Sequence, residues 1–124
     1  MHLYEYAVLR VVPRADREEF MNIGVVLYCP GRQFLDVSYY LDAARLEALC
    51  PGFDIGELDL YCKSFASICM GNKKGGLLET MPASSRFRWL TAKRSAILQV
   101  SAVHPGFCED PSAELDRLTE LLVK

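Results

Sequence analysis

The first third of the chain alternates between hydrophobic and polar residues in the way that β-strands do. Residues 3–12 alternate with a period of two, residues 22–29 are apolar on both faces, and residues 33–40 return as a third strand after the turn at Pro30 and Gly31. A strand that is apolar on both faces is typical of the centre of a sheet. Pro13 ends the first strand and Pro30 begins a turn, because proline cannot donate to a strand ladder. The pattern predicts an antiparallel meander with residues 22–29 in the middle.

Helical spacing replaces this alternation after the third strand. Asp42 and Asp54 are predicted N-caps, because an aspartate side chain can accept hydrogen bonds from the first turn of a helix. The helix that follows Asp42 is predicted over residues 43–50. The second helix is predicted to end at Gly71 and to bury a stripe of residues at helical spacing, namely Leu58, Tyr61, Cys62, Phe65, Ile68 and Cys69.

The last third of the chain predicts one more strand and one more helix. Residues 84–90 resemble a short capped turn, and residues 96–103 alternate as a fourth strand that ends at Pro105. Asp110, followed by a proline, is the predicted N-cap of the last helix. We therefore predict a single α+β domain over residues 1–124, with a mainly antiparallel sheet of about four strands and helices packed on one face.

Composition narrows the location and the chemistry of the protein. No apolar run reaches the ~18 residues of a membrane span, and the first residues lack the basic start and apolar core of a signal peptide. We therefore expect a cytoplasmic protein that does not associate with a membrane. Five cysteines without a Cys-x-x-Cys pair argue for buried thiols rather than disulfides. His104 and Cys108 are too few ligands for zinc, so neither a metal nor a cofactor is expected.

A polar cluster lies beside the predicted central strand and consists of Arg10, Arg17, Glu18, Glu19 and Asn22. An arginine in the middle of a strand needs a partner, because an unpaired buried charge is costly, and either glutamate could provide it. In a structural interpretation these residues lock the first two strands together. In a functional interpretation a glutamate acts as an acid, a base or a metal ligand while an arginine orients an anion. Adjacent carboxylates in a charged turn usually face solvent, which favours the structural interpretation.

A second cluster interleaves basic and aromatic side chains and consists of Arg86, Phe87, Arg88, Trp89, Lys93 and Arg94. In the interpretation we favour, the aromatic rings fill the core and the arginines pair with acidic segments. A protein interface ranks second, because Arg and Trp are enriched at binding hot spots. Stacking on nucleic-acid bases ranks third, because the net charge is −2. The charge is uneven: residues 36–62 carry six acids and one base, whereas residues 63–94 carry seven bases and one acid.

The usual motifs of catalysis and phosphate binding are not present in the sequence. Neither Gly-x-Ser-x-Gly nor His-Glu-x-x-His occurs. The glycine-rich and lysine-rich segment over residues 71–76 follows a helix, and no Ser or Thr succeeds its lysines. A phosphate-binding loop follows a strand and ends in Gly-Lys-Ser/Thr, so this segment is predicted to be a helix end and a solvated turn. No catalytic residue is predicted.

Two segments of the chain resemble the signatures of a known family. The first reads Tyr-Glu-Tyr-Ala-Val-Leu-Arg-Val-Val-Pro over residues 4–13 and Arg-Glu-Glu-Phe-Met-Asn-Ile-Gly-Val-Val-Leu-Tyr-Cys over residues 17–29. The second reads Arg-Phe-Arg-Trp-Leu over residues 86–90 with Ala-Lys-Arg-Ser over residues 92–95. Over nearly its whole length the chain resembles a bacterial family of small, single-domain, cytoplasmic proteins of unknown function. Members of that family are often encoded beside a kinase that resembles the HipA toxin class, which implies a small partner or antitoxin-like subunit.

These observations favour a non-enzymatic protein-interaction or regulatory module, with a HipA-like kinase as the implied partner. The alternative is an enzyme, or a nucleotide- or nucleic-acid-binding domain, that uses an Arg/Glu anion site. That alternative requires the two arginine-bearing segments to converge in one pocket. The predicted binding residues are the polar matches of the two segments together with the single tryptophan: Arg10, Arg17, Glu19, Asn22, Arg86, Arg88 and Trp89.

Overall fold

The computed structural model describes residues 1–92 and 96–124, and these residues form an α+β fold around an antiparallel sheet. The strands are β1 (His2–Val11), β2 (Met21–Cys29), β3 (Phe34–Tyr39), β4 (Leu98–Val100) and β5 (His104–Cys108). Their order is β3-β2-β1-β4, and β5 also pairs with β1. The first half of β1 pairs with β5 and its last residues pair with β4. The predicted fold class and the antiparallel sheet are confirmed.

Three of the four helices of the described residues begin at the aspartates that the sequence indicates. They are α1 (Ala43–Leu49), α2 (Ile55–Met70), α3 (Ala83–Leu90) and α4 (Pro111–Leu122). The side chain of Asp42 accepts a hydrogen bond from the backbone of Arg45 at 3.1 Å, and Asp54 and Asp110 cap α2 and α4 in the same way. None of these helices combines the length and the apolar character that a membrane crossing requires.

The sheet buries apolar side chains on both of its faces. On one face, residues of β1 and β2 pack against α1, α2 and α3, and this first core includes Leu9, Val26, Leu46, Cys62 and Phe87. On the other face, a second core joins β2 to α4 and includes Val25, Leu27, Leu115 and Leu118. The prediction that the helices pack on one face is therefore wrong for α4. The reason is that β2 is apolar on both faces, so each face needs a cover.

A β-bulge in β2 decides which polar residues share a face. Leu9 pairs with Gly24 whereas Arg10 pairs with Asn22, so Ile23 is the extra residue. Ile23 is buried in the first core. Because directly paired residues point to the same side of a sheet, Asn22 and Arg10 lie together on the face of the second core. This pairing is a consequence of the bulge and not of simple alternation.

Three details of the last third differ from the sequence prediction. Residues 104–108 form a strand although Pro105 and Gly106 were expected to end one. Pro105 is tolerated because β5 lies at the edge of the sheet. Gly106 leaves room for Tyr4, since a Cβ there would lie 2.6 Å from the Tyr4 hydroxyl oxygen. Residues 83–90 form a helix rather than a turn, and β4 occupies only residues 98–100 of the longer strand that was predicted.

Candidate functional site

Asn22 links the central strand to the C-terminal end of α4. Its Nδ2 donates a hydrogen bond to the carbonyl oxygen of Leu122 at 3.2 Å. Arg45 of α1 donates from Nη1 to the next carbonyl oxygen, that of Val123, at 3.1 Å. The last carbonyl groups of a helix have no partner within the helix, so Asn22 and Arg45 cap α4 together. The structure therefore gives the predicted site residue Asn22 a structural contact.

Arg10 has neither an ion pair nor a hydrogen bond from its side chain to the rest of the described residues. Its guanidinium lies over Phe20, with Cζ 4.2 Å from the ring centroid. The Nε of Arg10 and the Oδ1 of Asn22 are both buried without a hydrogen-bond partner. A cation–π contact is worth about 0.5–1 kcal/mol at exposed sites and more when it is desolvated. The ring of Phe20 is therefore the main compensation that the fold provides for this charge.

Glu19 pairs with Arg17 rather than with Arg10. Arg17 donates from Nε to a Glu19 carboxylate oxygen, and this hydrogen bond raises the pKa of Arg17. Both side chains are exposed, as are those of the neighbouring pair Arg14 and Asp16. Exposed ion pairs contribute little to stability. This segment is a solvated turn, and the expected bond between Arg10 and a glutamate is not formed.

Arg86 packs against the C-terminal end of α2. Gly71, the C-cap of that helix, has a φ of +70°, and a Cβ there would lie 2.5 Å from Arg86 Nη1. Glycine is thus required both by the backbone conformation and by the approach of the guanidinium. A positive charge at the C-terminal end of a helix is stabilised by the helix dipole. The Nε of Arg86 is buried without a hydrogen-bond partner among the described residues, so the contact that this side chain makes with α2 is the close approach of its guanidinium to Gly71.

Arg88 fastens α3 to β1. Its Nη1 and Nη2 donate to the two carboxylate oxygens of Glu5 at 3.2 and 3.1 Å, which is the bidentate geometry that arginine favours. Phe87 is fully buried, with its ring 5.3 Å from that of Tyr28. Trp89 remains 39% exposed. The expectation that aromatic rings fill the core is thus met by Phe87, whereas Trp89 lies at the surface.

The pair formed by Arg88 and Glu5 is expected to contribute little to stability. Because the Arg88 side chain is largely exposed, a double-mutant cycle with Arg88→Ala and Glu5→Ala should give a coupling energy below about 1 kcal/mol. Urea unfolding of the four proteins measures this energy. A coupling above about 2 kcal/mol would show that the pair is a major structural contact, and Arg88 variants would then be unsuitable for binding experiments.

The two arginine-bearing segments lie on opposite faces of the sheet. Arg10 shares its face with Asn22, whose amide reaches α4. Glu5, the partner of Arg88, lies an odd number of residues from Arg10 along β1 and therefore points to the other face. The single anion pocket that the alternative function requires is not built by these residues. Lys93 and Arg94, which were assigned to the same cluster, lie outside the described residues.

A cluster that sequence reasoning did not identify joins β1 to α4. The Tyr4 hydroxyl donates to Glu114 Oε2 at 2.5 Å, and Arg117 donates to both Glu114 oxygens at 2.8 Å. The hydrogen bonds from Arg117 and Tyr4 hold the pKa of Glu114 at about 2, below its ordinary value of 4.5. Burial and the Glu114 carboxylate raise the pKa of Tyr4 to about 12. The sequence does indicate that Glu114 and Arg117 can pair, because they lie three residues apart on one predicted helix. It does not indicate that Tyr4, which is distant in the chain, joins them.

The two cysteines of α2 are not activated as nucleophiles. Burial raises the pKa of Cys62 to about 11 and that of Cys69 to about 12. A nucleophilic cysteine instead needs a lowered pKa, since the thiolate is the reactive form. Cys62 and Cys69 lie in the first core and Cys29 and Cys108 in the second, which confirms the interpretation as buried thiols for these four, whereas Cys50 is only partly buried. Residues 1–92 and 96–124 contain no group of three or more His, Cys, Asp or Glu side chains that could hold a metal.

The predicted site residues are therefore mostly occupied by contacts within the fold. These contacts define an α+β domain in which polar and charged side chains connect the helices to the sheet and to one another. The chain belongs to a family described as proteins of unknown function (DUF3037), whose profile matches residues 6–123. No curated protein and no solved structure matches the chain. Family membership identifies the chain but assigns it no activity.

Proposed function

We propose that the protein is a non-enzymatic interaction module that binds a partner protein through an apolar surface beside α3. We define this docking surface as Leu3 of β1, Phe107 of β5, and Arg88 and Trp89 of α3. The observation that supports the proposal is the pair formed by Leu3 and Phe107. They are direct cross-strand partners, and they keep 51% and 64% of their surface exposed.

The composition and position of this surface suit a protein partner. Leu3 and Phe107 lie on the face of the first core, beyond the region that the helices cover, and the Arg88–Glu5 pair connects this end of the sheet to α3. Paired large apolar residues in solvent are unfavourable unless another surface covers them. Arg and Trp are the side chains that most often dominate binding at interfaces. The resemblance described above makes a bacterial kinase of the HipA-like class the first partner to test.

Affinity purification from the native host tests the proposal. The tagged protein, expressed at its natural level, is expected to recover one protein in a stoichiometric amount. The variant Leu3→Ser/Phe107→Ser is expected to recover at least tenfold less, because two anchors of the surface are lost. Titration of the purified HipA-like kinase from the same host, followed by calorimetry, then tests the implied partner directly.

A matched control tests whether the loss of binding is specific to the docking surface or follows from removing any two exposed apolar residues. Leu60 and Leu121 are also large and exposed, at 64% and 68%, but they lie on α2 and α4. The variant Leu60→Ser/Leu121→Ser should retain the partner in full. Recovery of no stoichiometric protein by the wild type would contradict the proposed function. Equal recovery by the two double variants would show that the partner binds elsewhere.

A further inference from the structure

The backbone of β4 presents hydrogen-bonding groups to the outside of the sheet. The Val12 N–H donates to the Ile97 carbonyl at 2.7 Å, and the Ser101 N–H donates to the Val8 carbonyl at 2.9 Å. Positions 97, 99 and 101 therefore face β1, because hydrogen-bonding direction alternates along an antiparallel strand. Leu98 and Val100 direct their N–H and C=O groups away from β1. No hydrogen bond from the described residues reaches these four groups.

On either side of β4, the outward carbonyl groups accept hydrogen bonds from side chains. This limits the stretch of backbone that is open to a further strand. The carbonyl oxygen of Ala96 accepts a hydrogen bond from Gln99 Nε2 at 2.8 Å. The carbonyl oxygen of Ala102 accepts one from the Ser101 hydroxyl at 2.9 Å. The open stretch therefore consists of Leu98 and Val100, which is enough for a short strand to pair on both sides of Gln99.

The other two edges of the sheet carry features that oppose strand addition. On β3, the Tyr40 N–H donates to the Ile23 carbonyl, so the N–H of Val37 points outward, and Asp36 Oδ1 accepts it at 2.8 Å. On β5, Pro105 occupies an outward position and has no N–H to offer. Proteins protect exposed edges by such means, because an open edge pairs with other strands. Among the described edges, β4 is the one without such protection.

An apolar cavity of about 340 Å³ opens beside β4 on the face of the first core. Its walls come from α2, α3 and β4, including Tyr61, Phe65, Leu90, Leu98 and Val100. This volume lies in the range of ligand pockets and is large enough for an apolar side chain. A strand added to β4 would direct alternate side chains to this face. The β4 edge thus offers the two features that strand addition uses, namely free backbone hydrogen-bonding groups and a pocket for alternate side chains.

We propose that the β4 edge binds an extended segment of a partner protein, which pairs with Leu98 and Val100 and inserts an apolar side chain into the cavity. This inference rests on the proposed function, because α3 carries both Leu90 of the cavity wall and Arg88 and Trp89 of the docking surface. Side chains on the other face of the segment lie beside Gln99. Gln99 is polar, so a polar residue suits this position of the segment. The ligand is thus an extended peptide that alternates apolar and polar residues.

A library of random linear 12-residue peptides displayed on phage is the probe for this site. Selection on the wild-type protein is expected to enrich peptides with that alternation. In the free protein the amides of Leu98 and Val100 should exchange rapidly with solvent, while those of Gln99 and Ser101 are protected by β1. A synthetic copy of a selected peptide should protect Leu98 and Val100 by at least tenfold.

Two substitutions at position 100 distinguish the contribution of the backbone N–H to peptide binding from that of the side chain. Val100→Ala shortens the side chain and keeps the outward N–H, whereas Val100→Pro keeps three side-chain carbons but closes them onto the backbone nitrogen and removes the N–H. Val100→Pro should bind the peptide about tenfold more weakly than Val100→Ala, because it lacks one hydrogen bond and its ring obstructs the edge. Protection of the Gln99 amide in each variant verifies that β4 still pairs with β1.

Each outcome of these experiments decides the inference. Enrichment of no peptide, or equal binding by Val100→Ala and Val100→Pro, would overturn it. Protection of Leu98 and Val100 that rises with protein concentration in the absence of peptide would show that a second copy of the chain occupies the edge, which also overturns it. The peptide experiments require no host partner, so they can succeed or fail independently of the affinity purification.

Discussion

Replacing Gly24 with alanine is expected to destabilise the protein by about 3 kcal/mol. A Cβ at this position would lie 2.7 Å from the carbonyl oxygen of Ser38 and 2.8 Å from the Cβ of Tyr39. Both contacts come from β3, which pairs with β2 at this point. Because the obstructing atoms belong to the backbone or sit directly on it, a rotamer change cannot relieve the overlap. The strands must separate, and the ladder at the centre of the sheet is disturbed.

Urea unfolding measures this effect, and Gly56→Ala provides the matched control. Gly56 lies in the first turn of α2, and a Cβ there would meet only Asp54 Oδ1 at 3.4 Å. Alanine is a better helix former than glycine, so Gly56→Ala should be neutral or slightly stabilising. A loss of less than about 1 kcal/mol in Gly24→Ala would show that β2 and β3 accommodate the methyl group, contrary to the pairing described here.

Stability is expected to decline by about 2 kcal/mol as the pH falls from about 5 to 2, because Glu114 becomes protonated. Its folded-state pKa of about 2 lies below the ordinary value of 4.5, so the unfolded chain takes up the proton first. The contribution is complete above pH 4.5 and is lost as the pH falls through the folded pKa. Other carboxylates also titrate in this range, so the contribution of Glu114 must be isolated by substitution.

Glu114→Gln isolates that contribution, and Glu120→Gln is its control. Glutamine keeps the shape of the side chain but cannot titrate, so the decline between pH 5 and 2 should be smaller in Glu114→Gln by about 2 kcal/mol. Glu120 lies on the same helix but is exposed and pairs only with Lys124, so its variant should follow the wild type. Unfolding free energies at several pH values provide the measurement. Identical slopes in Glu114→Gln and the wild type would contradict the assignment.

The same cluster predicts a second loss at alkaline pH. Tyr4 has a folded-state pKa of about 12, raised from 10 by burial and by its hydrogen bond to Glu114. A raised pKa on an acid means that its contribution is complete below pH 10 and disappears as the pH rises towards 12. The cluster formed by Tyr4, Glu114 and Arg117 therefore stabilises the fold between about pH 5 and 10.

Local patterns were sufficient to predict most of the secondary structure. Period-two alternation predicted β1, and the turn at Pro30 predicted the return of the chain as β3. The N-caps Asp42, Asp54 and Asp110 predicted the beginnings of three helices. These features are determined by residues that are neighbours in sequence, and short-range hydrogen bonds and side-chain spacing decide them. The strand through Pro105 was missed because proline ends a strand in general but is tolerated at an edge. Whether a strand is at the edge depends on the whole sheet.

The candidate site was less predictable, because it depends on faces and partners rather than on spacing. The sequence indicated that Arg10, Asn22, Arg86 and Arg88 needed partners. It did not indicate that the bulge at Ile23 would place Asn22 opposite Arg10, or that Arg88 would bond Glu5 on the other face. Some of these partners are distant in the chain. Others depend on a one-residue change of register, and such a change moves a side chain to the opposite face of the sheet.

The sequence by itself therefore determined the α+β class, the central position of residues 22–29 and the burial of Cys62 and Cys69. Hydrophobic spacing carries this information, since it records which side of each element must avoid water. The tertiary structure alone decided that α4 covers the second face, that the arginines are separated by the sheet, and that β4 has an unprotected edge. These properties arise from strand order and register, which are set by contacts between residues far apart in the chain.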